Sequence, residues 1–128
     1  MLFRSKEENM KKIALVLSLF LSFGLFAQNE VSTYFKNGNK KMELLKVGDR
    51  SMQTTYYESG EIKQMGTFFK NQPSGEWKRY NLNGEVVSEG FYKDGKKVGK
   101  WTVSAMNADF KYELYYEDGL RLDAVALK

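Results

Sequence analysis

The chain has 128 residues, with 20 Lys and Arg against 16 Asp and Glu, and it contains neither Cys nor His. These two absences exclude disulfide bonds, thiolate nucleophiles, Cys/His zinc sites and a lipid-modified N-terminal Cys. They also exclude Ser-His-Asp and Cys-His catalytic sites. The length fits one domain, and 15% aromatic residues with a single Pro indicate a globular chain rather than a disordered one.

An apolar run, residues 13–27, follows Lys11 and Lys12 near the N-terminus. The run is shorter than the roughly 20 residues of a membrane-spanning helix. It is apolar on all sides, which disfavours the alternative of a buried amphipathic helix. A basic segment, a short apolar run and a small residue, here Ala27, are typical of a secretory signal peptide. We therefore predict a helical signal peptide over residues 1–27 and an exported mature protein, periplasmic or extracellular, without a lipid anchor.

The acidic residues Glu7 and Glu8 lie where a signal peptide is usually basic, so we expect translation to start at Met10. Removal of residues 1–27 takes away four of the 20 basic residues and two of the 16 acidic ones. Half of the formal net charge of +4 therefore belongs to the predicted signal peptide, which we call the leader. The remaining domain is close to neutral, which gives no reason to expect a nucleic-acid partner.

The rest of the sequence repeats with a period of 24 residues. Segment 56–79 aligns without a gap on segment 80–103. The coinciding residues are Tyr56 with Tyr80, Gly60 with Gly84, Glu61 with Glu85, Gly66 with Gly90, Phe68 with Tyr92, Gly75 with Gly99 and Trp77 with Trp101. We predict a short linker, 28–33, and a repeat domain, 34–128, with about four units: 34–55, 56–79, 80–103 and 104–128. The two outer units are degenerate, as terminal repeats often are.

Each unit carries the signals of two strands and two turns. In the third unit, residues 81–84 and 93–96 have turn sequences, and the second of these contains an Asp-Gly pair typical of hairpins. Residues 85–92 and 100–103 read as strands, and Pro73 of the second unit is expected in a turn. We therefore predict an all-β fold, an antiparallel meander of about eight strands in one elongated sheet.

The repeat also predicts columns of side chains along the sheet. Phe68, Tyr92 and Tyr116 are expected to form one aromatic column, and Trp77 and Trp101 another. Glycine inside a strand normally weakens the strand. We expect the repeated strand glycines to leave room for a Trp ring that lies flat across the backbone.

Each clean unit has a Tyr, a turn Gly, a strand Gly two residues before a Phe or Tyr, and then a Gly-x-Trp sequence. This pattern resembles the MORN-repeat variant of bacterial proteins, including the YwqK-type antitoxin-like group. The clean motifs run from Tyr56 through Gly66-Thr67-Phe68 to Trp77, and from Tyr80 through Gly90-Phe91-Tyr92 to Trp101. The resemblance covers roughly residues 34–122. It implies successive hairpins in one twisted sheet, and a non-catalytic scaffold that binds proteins or lies near membranes.

Aromatic side chains are the candidate binding residues. Most are expected to fill one face of a thin sheet, but a single layer leaves part of them exposed, and exposed aromatics often mark contact sites. The candidate binding face comprises Tyr56, Phe68, Trp77, Tyr80, Tyr92, Trp101 and Tyr116. The repeated glycines Gly60, Gly66, Gly75, Gly84, Gly90 and Gly99 are expected to be structural.

Charged residues give weaker signals. Lys93, Lys96, Lys97 and Lys100 surround one turn and are expected to solvate it, with docking to anionic lipid or polysaccharide as the alternative. The acidic residues that follow the turn, Glu61, Glu85 and Asp109, recur in several units, as structural residues do and a unique active site does not.

We therefore expect no catalytic residue, metal or cofactor. The sequence favours an exported, non-enzymatic module that binds a protein. The alternatives are a glycan- or lipid-binding module of the cell envelope and an antitoxin-like inhibitor. Self-association through the open sheet edges is a further expectation.

Overall fold

The computed structural model describes residues 6–12, 28–104 and 110–127. Residues 6–12 are helical. The apolar run of the predicted signal peptide, residues 13–27, and Asp109 lie outside the described residues. Within the described ranges, no helix is long and apolar enough to cross a membrane.

The described part of the chain forms one antiparallel sheet of nine strands in sequence order, without a crossover. The strands are β1 (Gln28–Tyr34), β2 (Lys40–Val47), β3 (Arg50–Tyr56), β4 (Ile62–Phe69), β5 (Gln72–Tyr80), β6 (Val86–Lys93), β7 (Lys96–Ser104), β8 (Lys111–Glu117) and β9 (Leu120–Leu127). The predicted all-β antiparallel meander is confirmed.

The sheet has one strand more than the sequence indicated, because the segment predicted as a linker, 28–33, belongs to β1. The alternation of polar and apolar residues in β1 is weak, so that its strand character comes from pairing with β2. Pro73, expected in a turn, is the second residue of β5 and pairs with Phe68 where the register shifts. A register irregularity tolerates Pro because a regular ladder bond is not needed there.

Tight turns occupy one end of the sheet. Asp94-Gly95 and Asp118-Gly119 have positive φ at both residues, as do Lys70 and Asn71. Two consecutive residues with positive φ form the turn whose twist matches that of paired strands. The predicted Asp-Gly hairpin at residues 94 and 95 is therefore present.

Wider turns occupy the opposite end, and they repeat with the sequence. The amide of Tyr57 donates to the carbonyl of Glu61 at 2.8 Å, and one repeat later the amide of Asn81 donates to the carbonyl of Glu85 at 2.9 Å. In both wide turns the glycine has a positive φ, +97° at Gly60 and +81° at Gly84. Glycine adopts this conformation at little steric cost, which explains why it recurs there.

The pairing register separates the side chains into two faces. One face, the aromatic face, carries Phe68, Trp77, Tyr92, Trp101 and Tyr116. The opposite face carries a buried cluster, the methionine face, defined by Met52, Tyr56, Ile62, Met65 and Tyr80. Ile62 is the most buried of these, with 2% of its surface exposed.

Two tryptophans pack flat over strand glycines on the aromatic face. A Cβ added to Gly66 would lie 2.1 Å from Cδ2 of Trp77, and one added to Gly90 would lie 2.1 Å from Cδ2 of Trp101. The indole Nε1 atoms donate to the backbone carbonyls of Thr67 and Phe91, each at 3.1 Å. The expectation that the strand glycines make room for the Trp rings is confirmed.

The contact between Gly90 and Trp101 predicts a coupled pair of mutations. We expect Gly90→Ala to destabilise the fold by about 1–3 kcal/mol, because the new methyl group displaces the indole ring. Trp101→Ala removes a buried aromatic side chain and should cost about 3–5 kcal/mol. In the double variant the methyl group no longer meets a ring, so its added cost should largely disappear.

Urea unfolding of the three variants measures this coupling. Ser88→Ala is the matched control, since Ser88 lies two residues earlier in β6 and is only half-buried. It should change the unfolding free energy by about 0.5 kcal/mol or less. Strictly additive effects of the Gly90 and Trp101 substitutions would contradict the packing argument.

Candidate binding face

The aromatic face is a continuous ladder of rings. Ring centroids are separated by 5.2 Å from Phe68 to Trp77, 5.6 Å from Trp77 to Tyr92, 5.0 Å from Tyr92 to Trp101, and 6.4 Å from Trp101 to Tyr116. All four contacts are edge-to-face, with interplanar angles of 71° to 83°. The two columns predicted from the repeat therefore interleave into one row across β4 to β8.

Exposure differs along the ladder. Trp101 is buried, with 5% of its surface exposed, whereas the other four rings are half-buried. The ammonium of Lys97 lies 4.7 Å from the Trp101 ring centre and 5.2 Å from that of Tyr116. A lysine at this distance makes a cation–π contact and adds a positive charge to the face. The ladder thus presents four half-buried rings together with the ammonium of Lys97.

Two predicted binding residues lie elsewhere. Tyr56 and Tyr80 belong to the methionine face and are 8% and 6% exposed. The structure therefore brings together five of the seven predicted aromatics and separates these two from them. Simple alternation along each strand accounts for this, because Tyr80 lies three residues after Trp77 in β5 and Tyr56 lies three residues after Gln53, the partner of Gly66, in β3.

The repeated glycines occupy three kinds of position. Gly60 and Gly84 lie in the wide turns, and Gly66 and Gly90 lie beneath the Trp rings. The remaining pair, Gly75 and Gly99, have positive φ of +96° and +68° within β5 and β7. Each position has a conformational or steric reason to be glycine.

The hydroxyl of Tyr56 is the clearest electrostatic feature of the methionine face. It donates to Oε2 of Glu43 at 2.9 Å. Burial raises the pKa of Tyr56 well above its ordinary value, and the neighbouring Glu43 carboxylate raises it further. Burial also raises the pKa of Tyr80 on this face and of Tyr92 on the aromatic face. The Tyr56 hydroxyl therefore remains protonated and donates to Glu43.

Ion pairs lie on the methionine face outside the buried cluster. Lys78 pairs with Glu76 at 3.1 Å and lies 3.8 Å from Glu89. Lys100 pairs with Glu113 at 3.1 Å, and the Tyr115 hydroxyl donates to the same carboxylate at 2.7 Å. The hydrogen bonds from Tyr115 and Lys100 lower the pKa of Glu113. This part of the face is polar.

The predicted lysine cluster does not form a patch on one face. Lys97 lies over the aromatic ladder, Lys100 pairs with Glu113 on the opposite face, and Lys96 pairs with Asp118 at 3.4 Å in the next tight turn. Among the described residues, no group of three or more acidic side chains is placed to hold a metal ion. The Glu85 side chain accepts a hydrogen bond from the Asn81 amide at 2.8 Å, a structural contact within the turn.

Sequence reasoning missed a contact between the N-terminal helix and the wide turns. The side-chain amide of Asn9 donates to the carbonyl of Gly60 at 3.2 Å. The ammonium of Lys12 donates to the carbonyl of Gly84 at 3.4 Å and lies 4.3 Å from the ring centre of Tyr80. The leader was interpreted only as a targeting signal, and no pattern in residues 6–12 indicates a contact with the sheet.

The central hairpins are similar to a known repeat. The family model described as MORN repeat variant matches residues 52–71 and 73–94. The matched segments include Gly66, Trp77 and Gly90, three of the four residues of the Trp–Gly packing. This agrees with the predicted repeat class, whereas the YwqK-type antitoxin-like group stays a prediction. A comparison with curated proteins found no match.

Two solved structures match this chain at low similarity. One is an S. aureus TarM mutant in complex with fondaparinux, alpha-GlcNAc-glycerol and UDP, with 10% identity, a TM-score of 0.48, and coverage of 83% of this chain and 23% of that chain. The other is TarM, with 13% identity, a TM-score of 0.45, and coverage of 88% and 27%. This chain thus spans about a quarter of the length of the structures it matches.

The raised pKa of Tyr56 predicts a loss of stability at alkaline pH. The unfolded chain ionises this tyrosine near pH 10, before the folded chain does. The stability that the protonated Tyr56 hydroxyl contributes is therefore fully present below about pH 10. It is lost as the pH rises through the higher pKa of the folded state. We expect the unfolding free energy of the unmodified chain to fall more steeply above about pH 10 than that of Tyr56→Phe.

Urea unfolding across this alkaline range measures the two slopes. Tyr34→Phe serves as the control, because Tyr34 is largely exposed. It should follow the unmodified chain. Parallel curves for Tyr56→Phe and the unmodified chain would show that the Tyr56 hydroxyl makes no pH-dependent contribution.

Proposed function

We propose that this protein is an exported, non-enzymatic repeat module that binds a protein partner through its aromatic face. The observation that carries the proposal is the continuous ladder of five rings from Phe68 to Tyr116, four of which remain half-exposed. Tyr and Trp are enriched among the residues that dominate the binding energy of protein interfaces. The similarity of the central hairpins to the MORN repeat variant supports a repeat module.

Contacts within the protein also hold the rings of the ladder in place without a partner. The edge-to-face contacts hold each ring against its neighbours, and both indoles are fixed by hydrogen bonds to the backbone. A rigid surface loses little conformational entropy on binding, so more of the contact energy contributes to affinity. Lys97 adds a charge that favours an acidic position in the partner next to Trp101 and Tyr116.

Export and the lack of catalysis belong to the same proposal. The predicted leader supports delivery to the periplasm or the outside of the cell. The chain has neither His nor Cys, and its turn carboxylates recur from unit to unit, which supports a binding module over an enzyme. An antitoxin-like inhibitor would be a special case, in which the partner is an exported toxin.

A glycan is the second candidate ligand. The Trp77 ring lies flat along the sheet over Gly66 and is half-buried, whereas Trp101 is buried beneath Lys97. At the position equivalent to Lys97, the second unit has Pro73. A flat and partly accessible indole is a surface on which a sugar ring can stack.

A pair of neighbouring residues tests the proposed face. Tyr92 belongs to the ladder, and Phe91 points to the opposite face and is 54% exposed. We expect Tyr92→Ser to reduce recovery of a cross-linked protein partner from an envelope fraction at least tenfold, corresponding to about 1.4 kcal/mol. Phe91→Ser should leave recovery unchanged. Circular dichroism establishes that both variants are folded.

Three results would contradict the proposed face or ligand. Equal losses in Tyr92→Ser and Phe91→Ser would remove the preference for the aromatic face. A loss in Phe91→Ser alone would assign binding to the other face. Co-purification of polysaccharide without a protein, abolished by Trp77→Ala, would favour the glycan alternative.

A further inference from the structure

Charged residues are distributed unequally between the two faces of the sheet. The strand pairings and the alternation of side chains place every Asp and Glu of the nine strands on the face opposite the ladder. These residues are Glu30, Glu43, Glu76, Glu89, Glu113, Glu117 and Asp123. The aromatic face, by contrast, carries basic residues in several strands. They are Lys46 in β2, Arg79 in β5, Lys97 in β7 and Arg121 in β9.

On the face opposite the ladder, carboxylates balance basic residues. Lys40 lies 3.2 Å from Glu43, and Lys78 and Lys100 form the ion pairs described above. On the aromatic face this balance is missing. Within residues 6–12, 28–104 and 110–127, no ion pair includes any of the four basic residues named for that face. The aromatic face therefore bears a positive charge that no carboxylate of its own neutralises.

Two of these cations flank the ladder on opposite sides. Arg79 pairs with Ser88, and Lys97 pairs with Tyr92, four residues further along β6. Gly90, which lies beneath the ladder, is midway between these two positions. Four residues of a strand span about 13 Å, and alternate strands are about 10 Å apart, so the backbones at Arg79 and Lys97 are separated by about 17 Å. An extended peptide covers this distance with about five residues.

A partner that covers the ladder must also cover these cations. Lys97 is half-buried and lies over the rings of Trp101 and Tyr116. Arg79 is exposed and follows two residues after Trp77 in β5. Removal of a charged group from water is unfavourable unless an opposite charge or hydrogen bonds replace the water. A carboxylate provides this compensation, and an arginine can bind it through two parallel hydrogen bonds. The face therefore favours an acidic partner over a neutral or basic one.

The spacing of the cations favours a peptide over an anionic membrane. Recognition of lipid head groups generally uses several Lys or Arg residues close together. Here the cations are distributed from β2 to β9, and half-buried rings lie between them. An extended chain can place one carboxylate at each of two separated cations and an apolar side chain on the rings between them.

We propose that the aromatic face recognises an acidic, extended segment of the protein partner. Two carboxylates about five residues apart contact Arg79 and Lys97, and an apolar side chain between them packs on the ladder. This inference rests on the proposed function and specifies the chemistry of the partner. It also adds Arg79, which no sequence pattern singled out, to the binding face.

The test is a selection of phage-displayed random peptides on the full chain, followed by removal of those that also bind Tyr92→Ser. The peptides have about ten residues, which exceeds the proposed contact length. We expect the remaining peptides to carry acidic residues on both sides of an apolar one. By fluorescence anisotropy, the best of them should bind Arg79→Gln and Lys97→Gln about tenfold more weakly than the unmodified chain. A version with amides in place of its carboxylates should not distinguish these variants from the unmodified chain.

Lys93→Gln is the matched control, because Lys93 is an exposed lysine that follows Tyr92 and lies on the opposite face. It should bind the peptide as the unmodified chain does. An equal loss in Lys93→Gln would show that only net charge matters and would contradict the inference. Selection of neutral or basic peptides, or the absence of any peptide that depends on Tyr92, would overturn it. Binding to phosphatidylglycerol vesicles that is abolished in Arg79→Gln and Lys97→Gln would assign the cations to a membrane instead.

Failure of this inference can be distinguished from failure of the proposed function. Partner recovery that falls in Tyr92→Ser but not in Arg79→Gln or Lys97→Gln would support the aromatic face and refute acidic recognition. The expected peptide binding, together with partner recovery that is unchanged in Tyr92→Ser, would support the recognised chemistry and refute the proposed function.

Discussion

The packing of a tryptophan ring on a bare strand backbone is the constraint on which the centre of this sheet depends. A single layer has no second sheet to pack against, so its stability must come from side chains that cover their own backbone and their neighbours. Gly66 and Gly90 provide the flat sites, and Trp77 and Trp101 cover them. The two indole rings in turn hold the Tyr92 ring between them.

The outer hairpins lack both the strand glycine and the tryptophan of the central repeats. At the pairing position equivalent to Gly66 with Trp77, β2 and β3 have Leu44 opposite Gln53, and β8 and β9 have Leu114 opposite Ala124. Where the ring is absent, the glycine is absent as well. Glycine in a strand is unfavourable by itself, so it is retained only where a large ring uses the space.

Sequence reasoning predicted the repeat, the meander, the turn types and the Trp–Gly packing, because each depends on residues close in the chain or one period apart. It did not predict that the two aromatic columns interleave, or that Tyr56 and Tyr80 lie on the opposite face. Those features follow from the pairing of Trp77 with Gly66 and Gly90 and from alternation along β3 and β5. The sequence prediction instead grouped the aromatic residues by their position in the repeat. The contacts of Asn9 and Lys12 were missed because they join segments without a common pattern.

The strict succession of the strands also has a kinetic consequence. Each strand pairs with the strands next to it in sequence, so the loops that must close during folding are short, and relative contact order is low for an all-β chain. Low contact order favours rapid folding, and folding of a repeat array can begin in any unit and spread to its neighbours. We expect the hairpins that contain the Trp–Gly pairs to nucleate the sheet. Such a chain can assemble hairpin by hairpin from its N-terminus, without waiting for its C-terminal strands.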